Sequence, residues 1–264
     1  MPRLAAVDLD GTLLRPDGTV SDRTRDVLAR ARHAGCRVLF VTARHPVAVL
    51  DLARTLGLTG SAVCCVGAVV CDLPSGRITW SRALTPSVAV RVAAVISARF
   101  PGVQLGWVHH DRVGYQENYA GRFLAGERYH DTIDRIDRPV LKMFGVGPSL
   151  TDAALPALRS LVSGLADVGH YFPGVVDLVA PGVSKVMALR RYCAAHQITP
   201  AGVIAFGDSA ADIPMLRWSG RGVLMGNADY RLHELADEIA PGCAQDGVAQ
   251  VLERVIPVRQ EVDR

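Results

Sequence analysis

The sequence predicts an α/β protein: a doubly wound parallel sheet, Rossmann-like, with an α+β unit inserted into it. Three observations carry that expectation. Short apolar runs alternate with helix-like segments over residues 1–66 and again beyond 184, which is the β-α-β-α-β order of a parallel sheet. Between about 84 and 183 the order changes to helices mixed with antiparallel-looking strands, the texture of a separate α+β unit. Asp8, Asp10 and Thr42 all fall at predicted strand ends, the edge at which open α/β sheets bind ligands. The simplest assembly is a discontinuous core, 1–83 plus 184–264, carrying a cap at 84–183.

Composition sets the outer bounds. The chain has 264 residues, 49% of them apolar and 21% charged, ordinary for a soluble protein with a sizeable core. Its net charge of +3 is spread out and no dense Lys/Arg tract occurs, which argues against nucleic acid or a membrane surface as a partner. Nearly every basic residue is arginine, and the only lysines are Lys142 and Lys185. The six cysteines include no CxxC pair, so buried free thiols are expected in place of disulfides or zinc ligands. A strand begins almost at the N-terminus, leaving no room for a signal peptide. The apolar run from Ala62 to Cys71 is about half of what a membrane span needs. A cytoplasmic protein is expected, and the oligomeric state stays open.

The elements follow in order. Leu4 to Val7 is a strand, leading into Asp8-Leu9-Asp10-Gly11-Thr12. Ser21 suits the N-cap of a helix through Ala34, closed by Gly35. Cys36 to Val41 is a second strand, and Pro46 opens a helix to Leu56 with Gly57 beyond its end. Ala62 to Val66 is a third strand, followed by a hairpin from Val69 to Trp80. In the inserted unit the pattern predicts a helix over 86–100, strands over 103–108, 112–115 and 140–146, a helix over 151–165, and an extended run over 171–180. Ser184 then caps a helix to His196, and strands at 203–206, 222–225 and 237–239 resume the alternation.

Chemistry concentrates at Asp8 and Asp10. In an extended backbone residues i and i+2 point to one side, so the two carboxylates are expected to converge. Like charges that close need a cation or a proton between them, and carboxylate oxygens suit a hard metal such as Mg2+. Gly11 lets the chain turn away sharply.

With Asp8-Leu9-Asp10-Gly11-Thr12-Leu13, Val41-Thr42, Gly182-Val183-Ser184-Lys185 and Gly207-Asp208-Ser209-Ala210-Ala211-Asp212 standing in this order, the chain resembles the haloacid dehalogenase superfamily of phosphohydrolases. Met225-Gly226-Asn227-Ala228 and Asp246-Gly247-Val248 narrow the resemblance to the Cof-like sugar-phosphatase subgroup, which carries a large cap. The resemblance implies a Mg2+-dependent phosphatase acting on a small phosphate ester, a sugar or polyol phosphate. Asp8 would be the nucleophile and Asp10 the acid and base. Asp8, the Asp10 main-chain carbonyl and Asp208 would hold Mg2+. Gly11, Thr42, Ala43, Arg44, Lys185 and Asn227 would line the phosphate, and Asp212 would orient Lys185 or a metal-bound water. A phosphomutase and a catalytically weakened, ligand-binding homologue are the rival readings.

Three positions depart from the subgroup pattern. Ala43 stands where Gly is usual, Val66 where Asn is usual, and Ala211 where Asn is usual. In the cap, His109, His110, Arg112, Tyr115, Arg122 and Lys142 are the side chains available to read a leaving group, with the two histidines expected at the surface.

Overall fold

The computed structural model describes residues 1–116, 128–130 and 132–257. The chain opens with β1 (Leu4–Val7), whose four residues are fully buried. Helix α1 (Asp22–His33) follows, its free N-terminal amide at Thr24 bonded by the Ser21 hydroxyl, as an N-cap serine does. Strand β2 (Arg37–Val41) lies parallel to β1. Helix α2 (Pro46–Leu56) begins on Pro46 and ends at Gly57 in the left-handed region, where a side chain would be strained. Strand β3 (Ser61–Cys64) is parallel to β2, and β4 (Val69–Asp72) and β5 (Ile78–Ser81) fold back antiparallel.

The middle of the chain builds a second sheet. Helix α3 (Pro86–Arg99) leads to β6 (Gln104–Val108), β7 (Val113–Tyr115), β8 (Arg128–His130) and β9 (Lys142–Val146). Helix α4 (Leu155–Leu161) and the hairpin β10 (Asp167–Phe172) and β11 (Val175–Val179) complete it. The strand order is β10-β11-β9-β6-β7-β8, antiparallel apart from the parallel pair β7–β8.

The chain then returns to the first sheet through α5 (Lys185–Ala195), β12 (Val203–Gly207), α6 (Ile213–Trp218), β13 (Arg221–Met225), β14 (Glu238–Ala240) and α7 (Gly247–Val255). Its order is β14-β13-β12-β1-β2-β3-β4-β5, parallel from β14 to β3. Alternate residues of β1 go to opposite faces. Ala5 and Val7 join one apolar cluster with α1 and α7, and Leu4 and Ala6 join the other with α5 and α6. From β1 the chain runs outward through β2 and β3 on one side, and after the second sheet it re-enters at β12 and runs outward through β13 and β14 on the other. That places the topological switch point between β1 and β12, and hence the ligand crevice at their carboxyl ends.

Three predicted segments differ from the structure. The helix expected over 151–165 is only α4, because Pro156 has no N–H and is tolerated only in a first turn. The extended run over 171–180 belongs to two strands, divided at Gly174 with φ +75°. The third strand stops at Cys64, because Cys65 and Val66 adopt left-handed φ values of 51° and 60°. All six cysteines are buried and unbridged. Among the described residues no helix is long and apolar enough to cross a membrane.

Candidate active site

Strand ends and one helix start bring the motif residues together. Asp8 follows β1 and Asp208 follows the neighbouring β12, while the Asp8 amide donates to the Phe206 carbonyl at 3.1 Å. Lys185 is the first residue of α5, whose N-cap Ser184 accepts from the Met187 amide at 3.2 Å. The cap fixes the helix start and therefore the direction in which Lys185 leaves it. The Lys185 ammonium donates to Asp8 Oδ1 and to Asp212 Oδ1, both at 2.7 Å. All three side chains are buried, with Asp8 4%, Lys185 5% and Asp212 0% exposed.

Asp212 is fully engaged. Its Oδ2 accepts from the Ser209 hydroxyl at 2.7 Å and from the amides of Ser209 and Asp208 at 3.1 and 3.3 Å. Asp208 Oδ1 accepts from the Thr12 hydroxyl at 3.0 Å. Gly11 allows this approach: at φ +77°, a Cβ there would lie 2.2 Å from Asp208 Oδ2.

One carboxylate oxygen from each of Asp8, Asp208 and Asp212 lies within 4.8 Å of the other two. Three carboxylates and one ammonium leave an excess of two negative charges when all are ionised. Burial, with Asp212 alongside, pushes the Asp208 carboxyl up to about 6. Burial also raises Asp8 well above the usual carboxylate range, with Asp212 adding and Lys185 opposing. Burial alone would discharge Lys185, but the two flanking carboxylates hold it charged and lift its pKa. A cluster with oxygen donors and surplus negative charge fits a hard divalent cation. Because both oxygens of Asp212 already accept hydrogen bonds, Asp8 and Asp208 are the carboxylates free to ligate it.

Asp10 behaves differently from the expectation of convergence with Asp8. The strand ends at Val7, so the two-residue alternation no longer applies at Asp10. Its carboxylate is more than half exposed and is held by Arg44, at 2.8 Å from Nε and 2.5 Å from Nη2. Arg44 is thus committed to Asp10 and not to an open phosphate cradle. Thr42 is 1% exposed, and its hydroxyl oxygen accepts from the Arg44 amide at 3.1 Å, which leaves its own O–H to donate elsewhere.

The Thr42–Ala43–Arg44 loop is braced from two sides. The Val66 and Cys65 amides donate to the carbonyls of Thr42 and Arg44 at 3.1 and 2.8 Å. From the second sheet, the Lys142 ammonium donates to the Ala43 carbonyl at 3.0 Å and to Asp177 Oδ2 at 3.1 Å. Asn227 sits among the motif residues in another capacity. Its Nδ2 donates to the Gly11 carbonyl and its Oδ1 accepts from the Cys243 amide, both at 2.8 Å. Its amide therefore ties the Gly11 turn to the far end of the sheet.

The remaining cap residues scatter. His109 is 3% exposed, contrary to the surface position expected, and its Nδ1 lies 2.8 Å from the Pro139 carbonyl; burial lowers its pKa. His110 is half-buried, and Arg112 pairs with its neighbour Asp111 at 3.5 Å. Tyr115 ends β7. Arg122 lies outside the described residues. Sequence reasoning gave no role to Thr12 or Ser209. For Ser209 a signal existed, since a hydroxyl three residues before a carboxylate in a turn can hydrogen-bond to it locally.

Comparison with known proteins gives the family and the fold. The family model described as haloacid dehalogenase-like hydrolase matches residues 5–252. The pyridoxal phosphate phosphatase YbhA of Escherichia coli is 27% identical, with 95% of this chain and 97% of that protein aligned. The HMP-PP phosphatase of Cronobacter sakazakii is 30% identical, over 96% of this chain and 95% of its own length. A haloacid dehalogenase-like hydrolase from Bacteroides thetaiotaomicron superposes with a TM-score of 0.83 at 24% identity, covering 97% of this chain and all of that one.

Proposed function

The chain belongs to the haloacid dehalogenase-like hydrolase family, and on that premise we propose that it hydrolyses a small phosphorylated metabolite, a sugar or polyol phosphate, through an aspartyl-phosphate on Asp8. The observation that carries this reading is the buried Lys185, shared between Asp8 and Asp212 beside Asp208 at the switch point of the sheet. In this reading 1–83 with 184–264 is the catalytic core, 84–183 is the cap, and the enzyme works in the cytoplasm.

The roles follow from the contacts. Lys185 holds one oxygen of Asp8, leaving the other to attack phosphorus. The free Thr42 O–H and the Lys185 ammonium face the spread charge of the transferring group. Asp212 aims Lys185, and Thr12 aims Asp208. Asp10 protonates the departing alkoxide, then takes a proton from the water that hydrolyses the aspartyl-phosphate. To do either, its carboxylate must turn from Arg44 towards Asp8. Asp8, Asp208 and the Asp10 main-chain carbonyl would hold Mg2+, which would supply the charge neutralisation that lets a carboxylate approach a phosphate. Gly11 keeps the turn open, and Ala43 and Arg44 shape the wall of the site.

The test is direct. Purified protein with Mg2+ should hydrolyse p-nitrophenyl phosphate and members of a panel of sugar phosphates, polyol phosphates and pyridoxal phosphate. EDTA should stop it. Asp8→Asn should lower turnover by at least about 10³-fold while the circular dichroism spectrum is unchanged. An Asp8→Asn variant that still turns over would move the nucleophile elsewhere.

A further inference from the structure

Among the described residues, the second sheet carries a charged pair, Lys142 and Asp177, on the face opposite its apolar cluster. Its register fixes the facing. Leu105 lies opposite Gly145, and Trp107 and Leu178 lie opposite Met143. Leu105, Trp107, Met143 and Leu178 are fully buried in one cluster with Val92 and Ile96 of α3 and Leu158 of α4. Side chains alternate along a strand, so Lys142, Phe144 and Asp177 occupy the opposite face. Asp177 lies opposite Phe144, one diagonal step from Lys142. That is within reach for a long side chain.

Lys142 reaches past its own sheet from this face. Its ammonium divides between Asp177 in the cap and the Ala43 carbonyl in the core, and the Lys142 and Asp177 side chains are only 12% and 13% exposed. Of the three carbonyls in the loop, two are held by the Cys65–Val66 turn; the third, Ala43, is held by the cap. The loop carries the Thr42 hydroxyl on one side of that carbonyl. On the other side it carries Arg44, the side chain that holds Asp10.

We propose that Lys142 is a positioning residue: its hydrogen bond to the Ala43 carbonyl, made only while the cap sits over the core, sets the backbone of the Thr42–Ala43–Arg44 loop and so places Thr42 and Asp10. Asp177 pairs with the ammonium and aims it towards the loop. When the cap moves away, the ammonium stays with Asp177, and the loop alone loses a bond. The contact is therefore local to three consecutive residues. It needs no path through the body of the protein.

Two readouts test this, and only the second rests on the phosphatase reading. Amide hydrogen exchange reports the loop directly. In Lys142→Met the amides of residues 43, 44, 65 and 66 should exchange about 10-fold faster, while those of β1 and β12 keep their wild-type protection. In kinetics on p-nitrophenyl phosphate, kcat should fall about 10- to 100-fold with KM nearly unchanged, as for a misplaced catalytic group. Lys142→Arg can still donate to the carbonyl and should recover most of kcat. Lys142→Met leaves Asp177 unpaired, so Lys142→Met/Asp177→Leu, an apolar replacement of the pair, serves as the folding control. Unchanged loop exchange in both Met variants would overturn the proposal, whatever the enzyme's activity. Faster loop exchange with an unaltered kcat would overturn the link to Thr42 and Asp10. A wild-type protein inert towards every phosphate ester would remove the proposed function, and the exchange measurement would still decide for or against the contact.

Discussion

Val66 is the clearest strain at the scale of a single residue. A β-branched side chain at φ 60° costs about 1–2 kcal/mol, because its Cβ crowds the following carbonyl. It is held there by the turn whose amides brace Thr42 and Arg44, so the strain sits beside the site and serves it. Val66→Asn, the residue usual in the resembled subgroup, should raise stability by about 1 kcal/mol, read as a higher midpoint in urea with unchanged slope. Gly11 is the opposite case. Gly11→Ala would put a Cβ 2.2 Å from Asp208 Oδ2 at φ +77°. The variant should lose about 1–3 kcal/mol of stability, and most of any rise in Tm that Mg2+ is expected to give the wild type.

At the scale of elements, α5 shows how a local signal serves a distant site. Ser184→Ala removes the hydroxyl that holds the Met187 amide and should cost about 1 kcal/mol of stability. Because Lys185 is the next residue, kcat should fall as well, and the two effects are separable by measuring the rate well below the melting temperature. The same capping signals placed α1 and α2 correctly in the sequence, where Ser21, Pro46 and Gly57 mark the ends. They were weaker in the cap. Helical periodicity over 151–165 overran both ends of α4, and the hairpin β10–β11 was hidden in one apolar run. Periodicity records which side of an element is buried; it does not record where a chain reverses.

For the whole molecule, the concentration of carboxylates at the switch point sets the response to pH. Burial and Asp212 raise Asp208 from 3.8 to about 6, and Asp8 rises too. A carboxyl with a raised folded pKa binds its proton more tightly in the folded state. Its contribution to stability is full below the unfolded pKa and is lost as pH climbs through the folded one. Metal-free Asp208→Asn should therefore melt above the metal-free wild type at pH 7, with the gap narrowing by pH 5. Mg2+ should raise the wild-type Tm at pH 7 and leave Asp208→Asn much less affected. Equal gaps at the two pH values would show that Asp208 does not titrate in this range.

The sequence alone determined the alternation that makes a parallel sheet, the caps that start its helices, and the order of Asp8, Thr42, Lys185, Asp208 and Asp212 along the chain. Those features depend on neighbours a few residues away, and local sterics and hydrogen bonding decide them. Tertiary structure decided the rest: that Asp10 turns to Arg44, that Asn227 ties down Gly11, that Thr12 holds Asp208, and that Lys142 reaches the Ala43 carbonyl. Each of these joins residues from 34 to 216 positions apart. No spacing in the chain encodes such a pair; the order of strands within the first sheet, and for Lys142 the meeting of the two sheets, brings its members within 3 Å or so of each other.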